Sequence, residues 1–156
     1  MTKTMWSSAI AAGLVAVSSV GGAGVAAAAE TPNGRFCAAL VDRQGETCSS
    51  TSEAEARAEL GPMARTRLMT YYSDAGWKGT TLDVYGDDGT CNASGYTFIP
   101  STWWQNRLSS IRGYGGCTWV GLTTIDGYFV KAYALPASLG ATSYNDNTGR
   151  VHVFHG

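Results

Sequence analysis

The sequence predicts an all-β protein, a sandwich of short strands in two sheets, and three observations carry that prediction. Glycine and the large aromatics are frequent for the length, with 20 Gly, 8 Tyr and 5 Trp in 156 residues. From Arg67 onward, short stretches of β-branched and aromatic residues recur with turn residues between them. Four cysteines, an even number, suit a small oxidised domain.

Taken in order, residues 1–29 read as a secretory signal peptide. Lys3 supplies the positive start, an uncharged run follows from Trp6 to Ala28, and small residues close it at Ala26–Ala29. The run is long enough to anchor in a membrane, which takes roughly 20 residues. Ser18, Ser19 and several glycines interrupt it, however, so cleavage and an extracellular address are expected, with no membrane attachment afterwards. Cleavage after Ala29 leaves 127 residues (156 less 29), enough for one domain. Lys3 leaves too, so 10 basic side chains face 12 acidic ones. Without a basic cluster, nucleic acid and anionic membranes are unfavoured partners. A monomer is expected.

Residues 30–65 form an N-terminal extension. Its first part is a hairpin or loop closed by a bridge. Residues 49–62, "SSTSEAEARAELGP", then read as a short helix, with Ser52 and Glu55 as a capping box and Gly61–Pro62 as the stop. All four cysteines, Cys37, Cys48, Cys91 and Cys117, follow the signal. Three pairings are possible; the sequential one, Cys37–Cys48 and Cys91–Cys117, keeps each bridge within one segment and is favoured over the others. A zinc site is disfavoured because there is no CxxC pair.

Residues 66–156 carry the strands. "RLMTYYS", "GTTLDVYG", "GYTFIP" and "SSIRGYG" make one set; "CTWVGLTTI", "GYFVKAYALP" and "GRVHVFHG" make a second, with "SLGATSY" as a weaker piece between. The sets repeat. Tyr72, Trp77 and Gly79 are spaced as Val120, Ile125 and Gly127 are, and "WQNRLSSIR" from Trp104 lies against "YNDNTGRVH" from Tyr144. Such a repeat means one supersecondary unit used twice. A folded-over hairpin needs a positive φ at the glycine, and the preceding aromatic can lie across it.

These residues resemble the βγ-crystallin superfamily. Its aromatic-x4-aromatic-x-Gly signature is present at Tyr72, Trp77 and Gly79. "QNRLSS" (residues 105–110) and "NDNTGR" (145–150) are similar to the calcium motif of its microbial members, which has two Asn/Asp, two variable residues, Ser/Thr and Ser. Gln105, Gly149 and Arg150 depart from it. The resemblance implies two Greek keys in a wedge-shaped sandwich over residues 66–156. It also implies calcium sites shared between the motifs. One site would use the Ser109 hydroxyl, Asp146, the Arg107 carbonyl and a hairpin carbonyl near Ser73. The other would pair Asn106 with position 149, which has no hydroxyl, next to the Arg150 cation. One weakened and one dead site are therefore expected. With a single carboxylate the better site should hold calcium only at about 10⁻⁴–10⁻³ M. The same Asn and Ser residues also make turns without metal.

No catalytic constellation is present. There is no HExxH, GxSxG or phosphate loop, and "RGYGGC" lacks the Lys-Ser/Thr of one. His152 and His155 point to opposite faces of a strand. Asp87–Asp88 reads as a turn pair, and the cysteines are bridged. Two other functions are compatible with the sequence. Some exported proteins of this fold inhibit metalloproteinases, which would use the loop "YGDDGTCNASGY" around Asp87–Asn92. Alternatively, Trp103, Trp104, Tyr114 and Trp119 could stack on an extracellular carbohydrate or cell-wall polymer.

Overall fold

The structure, a computed structural model, describes residues 36–41 and 43–156. The signal-peptide reading at 1–29 lies outside the described residues, as does the start of the extension. The extension is built around the hairpin β1 (Phe36–Leu40) and β2 (Glu46–Ser49), which turns at Gly45 with φ 100°. Cys37 stands directly opposite Cys48 in the register, and the two form a disulfide. The helix α1 (Glu53–Glu59) starts at Ser52, whose Oγ accepts from Glu55 N at 3.2 Å. Only half of the expected capping box forms. The Glu55 carboxylate accepts from Ser49 Oγ, which in turn accepts from Ser52 N. Gly61, at φ 74°, and a 3₁₀ turn at Gly61–Met63 end the helix.

The first repeat supplies β3 (Thr66–Asp74), β4 (Lys78–Gly86), β5 (Tyr96–Phe98), a short helix α2 (Thr102–Gln105) and β6 (Ser110–Gly113). The second supplies β7 (Trp119–Thr123), β8 (Val130–Ala134), β9 (Ala137–Ser138) and β10 (Arg150–Phe154). These strands form two sheets, ordered β2-β1-β4-β3-β6-β9 and β5-β10-β7-β8. Each repeat therefore gives its third strand to the other repeat's sheet: β5 pairs with β10, and β9 with β6. The halves are interlocked. The extension continues the first sheet, because β1 runs parallel to β4 from Phe36↔Thr81 to Leu40↔Tyr85.

The core lies between the sheets. Leu68, Met69, Tyr71, Leu82, Val84 and Ile111 come from one, and Phe98, Val120, Leu122, Val151 and Val153 from the other. A register shift between Arg67 and Met69 leaves Leu68 out of the β3–β4 pairing, and both Leu68 and Met69 are buried. Each such side chain contributes about 1.5–3 kcal/mol. On the far side of the first sheet, Ala56 of α1 packs with Ala38, Leu40, Ala64 and Tyr85. Beneath the extension Asp83 is 1% exposed and accepts from the Thr70 hydroxyl and from Arg67, which also reaches Glu53.

The polar stretch from Asn106 turns after a short helix, α2, which seats Trp104 fully in the core. One local expectation needs correction. "SLGATSY" contributes strand only at Ser138. Beyond it the chain turns, with Thr142 N donating to Leu139 O and Asn145 N to Thr142 O.

Candidate functional site

Segment 105–110 is clamped on two sides. Ser109 N donates to Tyr72 O at 3.0 Å, at the end of β3. From the other side, Leu139 N donates to Ser109 O, Asp146 N to Leu108 O and Thr148 N to Gln105 O. The two serines then diverge. Ser110 is fully buried; its Oγ donates to Asp74 O at 2.8 Å and accepts from Trp77 N at 3.1 Å. It locks the folded β3–β4 hairpin, where Trp77 takes φ 62° and Gly79 φ 82°. A Cβ on Gly79 would lie 2.2 Å from Ser73 Oγ, so only glycine fits.

Ser109 faces the second repeat. Its hydroxyl donates to Asp146 Oδ1 at 3.4 Å across 37 residues of sequence. Asp146 adopts φ 53°, in the left-handed region, and Asn145 Nδ2 donates to its Oδ2 at 2.7 Å. Asp146 is exposed, and Ser109 is 6% exposed. The structure thus brings Ser109 and Asp146 together. The neighbouring Tyr72–Ser109 bond puts the hairpin end at Ser73 beside them. Ser73 Oγ is held within the hairpin, donating to Asp74 Oδ1 and accepting from Thr80 N. The Arg107 guanidinium lies over the Trp103 ring at 5.0 Å, which leaves its carbonyl as the only group it would offer an ion.

This donor set fits a hard cation: a carboxylate, a hydroxyl and backbone carbonyls, all oxygen. Asn145 would present its Oδ1 by turning its amide. The second position is built differently. Asn106 Nδ2 caps α2 by donating to Thr102 O. Gly149 N donates to Thr123 O, and Ile125 N to Asn147 Oδ1. The β7–β8 hairpin is closed from within: Thr124 Oγ1 donates to Asp126 Oδ1 and accepts from Phe129 N. The Thr124 hydroxyl, with Tyr128 N, holds the Asp126 carboxyl below the usual range. Thr124, Asp126 and Asn147 were missed from sequence; their Thr-x-Asp turn pattern was the available signal.

Both disulfides pair sequentially, Cys37–Cys48 and Cys91–Cys117. Among the described residues, the one metal-capable group of three His, Cys, Asp or Glu is Cys37, Glu46 and Cys48, and its sulfurs are already joined to each other. Glu46 was also missed, although a residue two before a bridged cysteine on a strand shares its face. Its carboxyl is pushed up by burial, against opposing contacts from Ser101 and the Trp104 indole.

The four aromatics considered for carbohydrate do not share a face. Trp104 is core, Trp103 packs edge-on against it at 4.9 Å, Tyr114 lies beneath Arg67 at 3.9 Å, and Trp119 belongs to the other sheet. His152 bonds Thr97 and His155 bonds Gly116 O, so they share no partner. The 87–95 loop is exposed but pinned. Tyr96 OH donates to Gly89 O, Asn92 Oδ1 accepts from Ser94 N and Gly95 N, and Cys91 N donates to Gly115 O. No helix among the described residues is long and apolar enough to cross a membrane. No family model, curated protein or solved structure matches the chain.

Proposed function

We propose that the protein is an exported, non-catalytic βγ-crystallin-like module that binds calcium at one site between its repeats. The exchange of β5 and β9 between the sheets supports the two-Greek-key reading, and the two disulfides are compatible with an extracellular protein. The observation that carries the calcium reading is the meeting of Ser109 and Asp146. These residues sit in the two repeats of one motif, and the Asp146 carboxylate is carried on a left-handed backbone at φ 53°. With one charge the site is weak, in the range of about 10⁻⁴–10⁻³ M. The test is a melting curve in chelator and in millimolar calcium. An ion bound only to the folded state at ten times its Kd stabilises it by roughly 1.4 kcal/mol. The rise is expected to vanish in Asp146→Ala. Coincident curves for the wild-type protein would remove the proposal.

The pinned 87–95 loop favours a second reading, a proteinase inhibitor. Asp87, Asp88 and Thr90 are exposed on a backbone held by Cys91 and Tyr96, the rigidity that an inhibitory loop needs. Inhibition of a secreted metalloproteinase, lost when this loop is cut, would support it.

A further inference from the structure

A cleft of about 330 Å³ opens between the β1–β2 turn and the segment from Phe98 to Gln105. It shares no residue with the Ser109–Asp146 pair. Its lining combines apolar Phe98, Ile99 and Pro100 with polar Glu46, Ser101 and Gln105. Glu46 stands on the core-facing side of β2, with its carboxylate within 4.8 Å of both sulfurs of the Cys37–Cys48 bridge. Its Oε2 is buried and, among the described residues, no cation and no well-aligned donor reaches it; the Ser101 hydroxyl and the Trp104 indole offset only part of the burial. The Tyr71 hydroxyl and the Trp103 indole N–H are also buried without partners among the described residues. Trp104 packs edge-on against both Tyr71 and Trp103. The salt bridges of the described residues join Arg65 and Arg67 to Asp87, Glu53 and Asp83; none reaches Glu46.

We infer that this cleft is a binding site for an alkylammonium group. A desolvated carboxylate without a cation is costly, and an ammonium inserted beside it removes that cost. The three N–H donors of an ammonium match acceptors that converge here: the Glu46 carboxylate, the Ser101 hydroxyl, and Gln105 Oε1. The Gln105 amide nitrogen is already engaged with Pro100 O. The apolar lining residues suit the aliphatic stem. A neutral hydroxyl ligand would not need the carboxylate, since a Gln at position 46 would serve it equally.

The test is a titration of the oxidised protein with n-butylammonium chloride at neutral pH and fixed ionic strength, followed by tryptophan fluorescence, with n-butanol as the uncharged control. Saturable binding of the ammonium and not of the alcohol is expected. Glu46→Gln should weaken it roughly tenfold or more, the value of a charge-assisted contact. Ile99→Lys, at a rim position 61% exposed, places a tethered ammonium at the mouth and should weaken the probe as well, with the fold intact. An Nα-acetyl-lysine methylamide that binds more tightly than butylammonium would identify a protein lysine as the natural source; a weaker one would identify a free amine. Absence of saturation, equal binding of the alcohol, or unchanged affinity in both variants overturns the inference.

Discussion

Ser109→Ala and Ser110→Ala should behave as opposites although the residues are adjacent. The Ser110 hydroxyl makes two well-formed hydrogen bonds from a fully buried position, to Asp74 O and from Trp77 N. Removing it forfeits about 1 kcal/mol for each bond and leaves part-buried backbone groups unpaired. Trp77 sits in a left-handed conformation that costs a non-glycine residue roughly 1–2 kcal/mol, so its relaxation would offset only part of this loss. A loss of about 2–3 kcal/mol follows, or roughly 10 °C for a domain of this size. Ser109 loses one 3.4 Å bond to an exposed carboxylate, so Ser109→Ala should cost less than about 0.5 kcal/mol in chelator. In calcium the ranking changes. Ser110→Ala should keep the rise in melting temperature from its lower baseline, whereas Ser109→Ala should lose it. Thermal melts of three proteins in two buffers give the answer. Equal losses for both variants in chelator, or a calcium shift retained by Ser109→Ala, would refute the division of labour.

The paired glycines of the repeat should differ in the same spirit. Gly79→Ala drives a Cβ into Ser73 and Asp74 at a positive φ, and should cost well over the roughly 1 kcal/mol of Gly127→Ala, whose Cβ meets nothing within 4 Å; denaturant melts measure both. The raised Glu46 pKa means the folded state favours the neutral acid. Its contribution is fully present below the ordinary value of 4.5 and is lost as pH rises through the folded pKa. Without an amine, Glu46→Gln should therefore raise stability at neutral pH and little at acid pH. Burial, with the neighbouring Tyr114 phenol, pushes Tyr72 up to about 12. An ultraviolet titration should find one tyrosine ionising near there, and stability should fall as pH climbs from 10 through that value.

The strands from Arg67 onward were legible because alternation and turn glycines are local signals. The sequential disulfides followed from proximity along the chain. The Ser109–Asp146 meeting came through the resemblance, since no local signal links residues 37 apart. What stayed hidden depends on tertiary context. Nothing in "FCAAL" distinguishes a strand closing its own hairpin from one that also adds in parallel to β4. Helix α2 is a single turn, formed because it delivers Trp104 to the core rather than from propensity. Glu46 reads as a polar edge residue until the opposite sheet edge closes over it.

The asymmetry of the repeats has a physical cause that yields a last prediction. In the first repeat the folded hairpin is locked from outside, by Ser110. In the second, Thr124 and Asp126 close the hairpin from within, so the position matching Ser110 is free to be Arg150, exposed at the start of β10. The chain can then approach closely at the position matching Ser109, where Gly149 N reaches Thr123 O. That closeness excludes a side chain: a Cβ on Gly149 would lie 2.8 Å from Thr124 O and 2.9 Å from Ile125 Cα, both backbone atoms that cannot turn aside. Gly149→Ser, the change that nominally restores the missing hydroxyl, should therefore destabilise by about 1–3 kcal/mol as an overpacked site. It should add no second calcium equivalent in a calorimetric titration. A stable variant with doubled stoichiometry would show instead that the second site lacked only its ligand, and that the self-closed hairpin is no barrier to it.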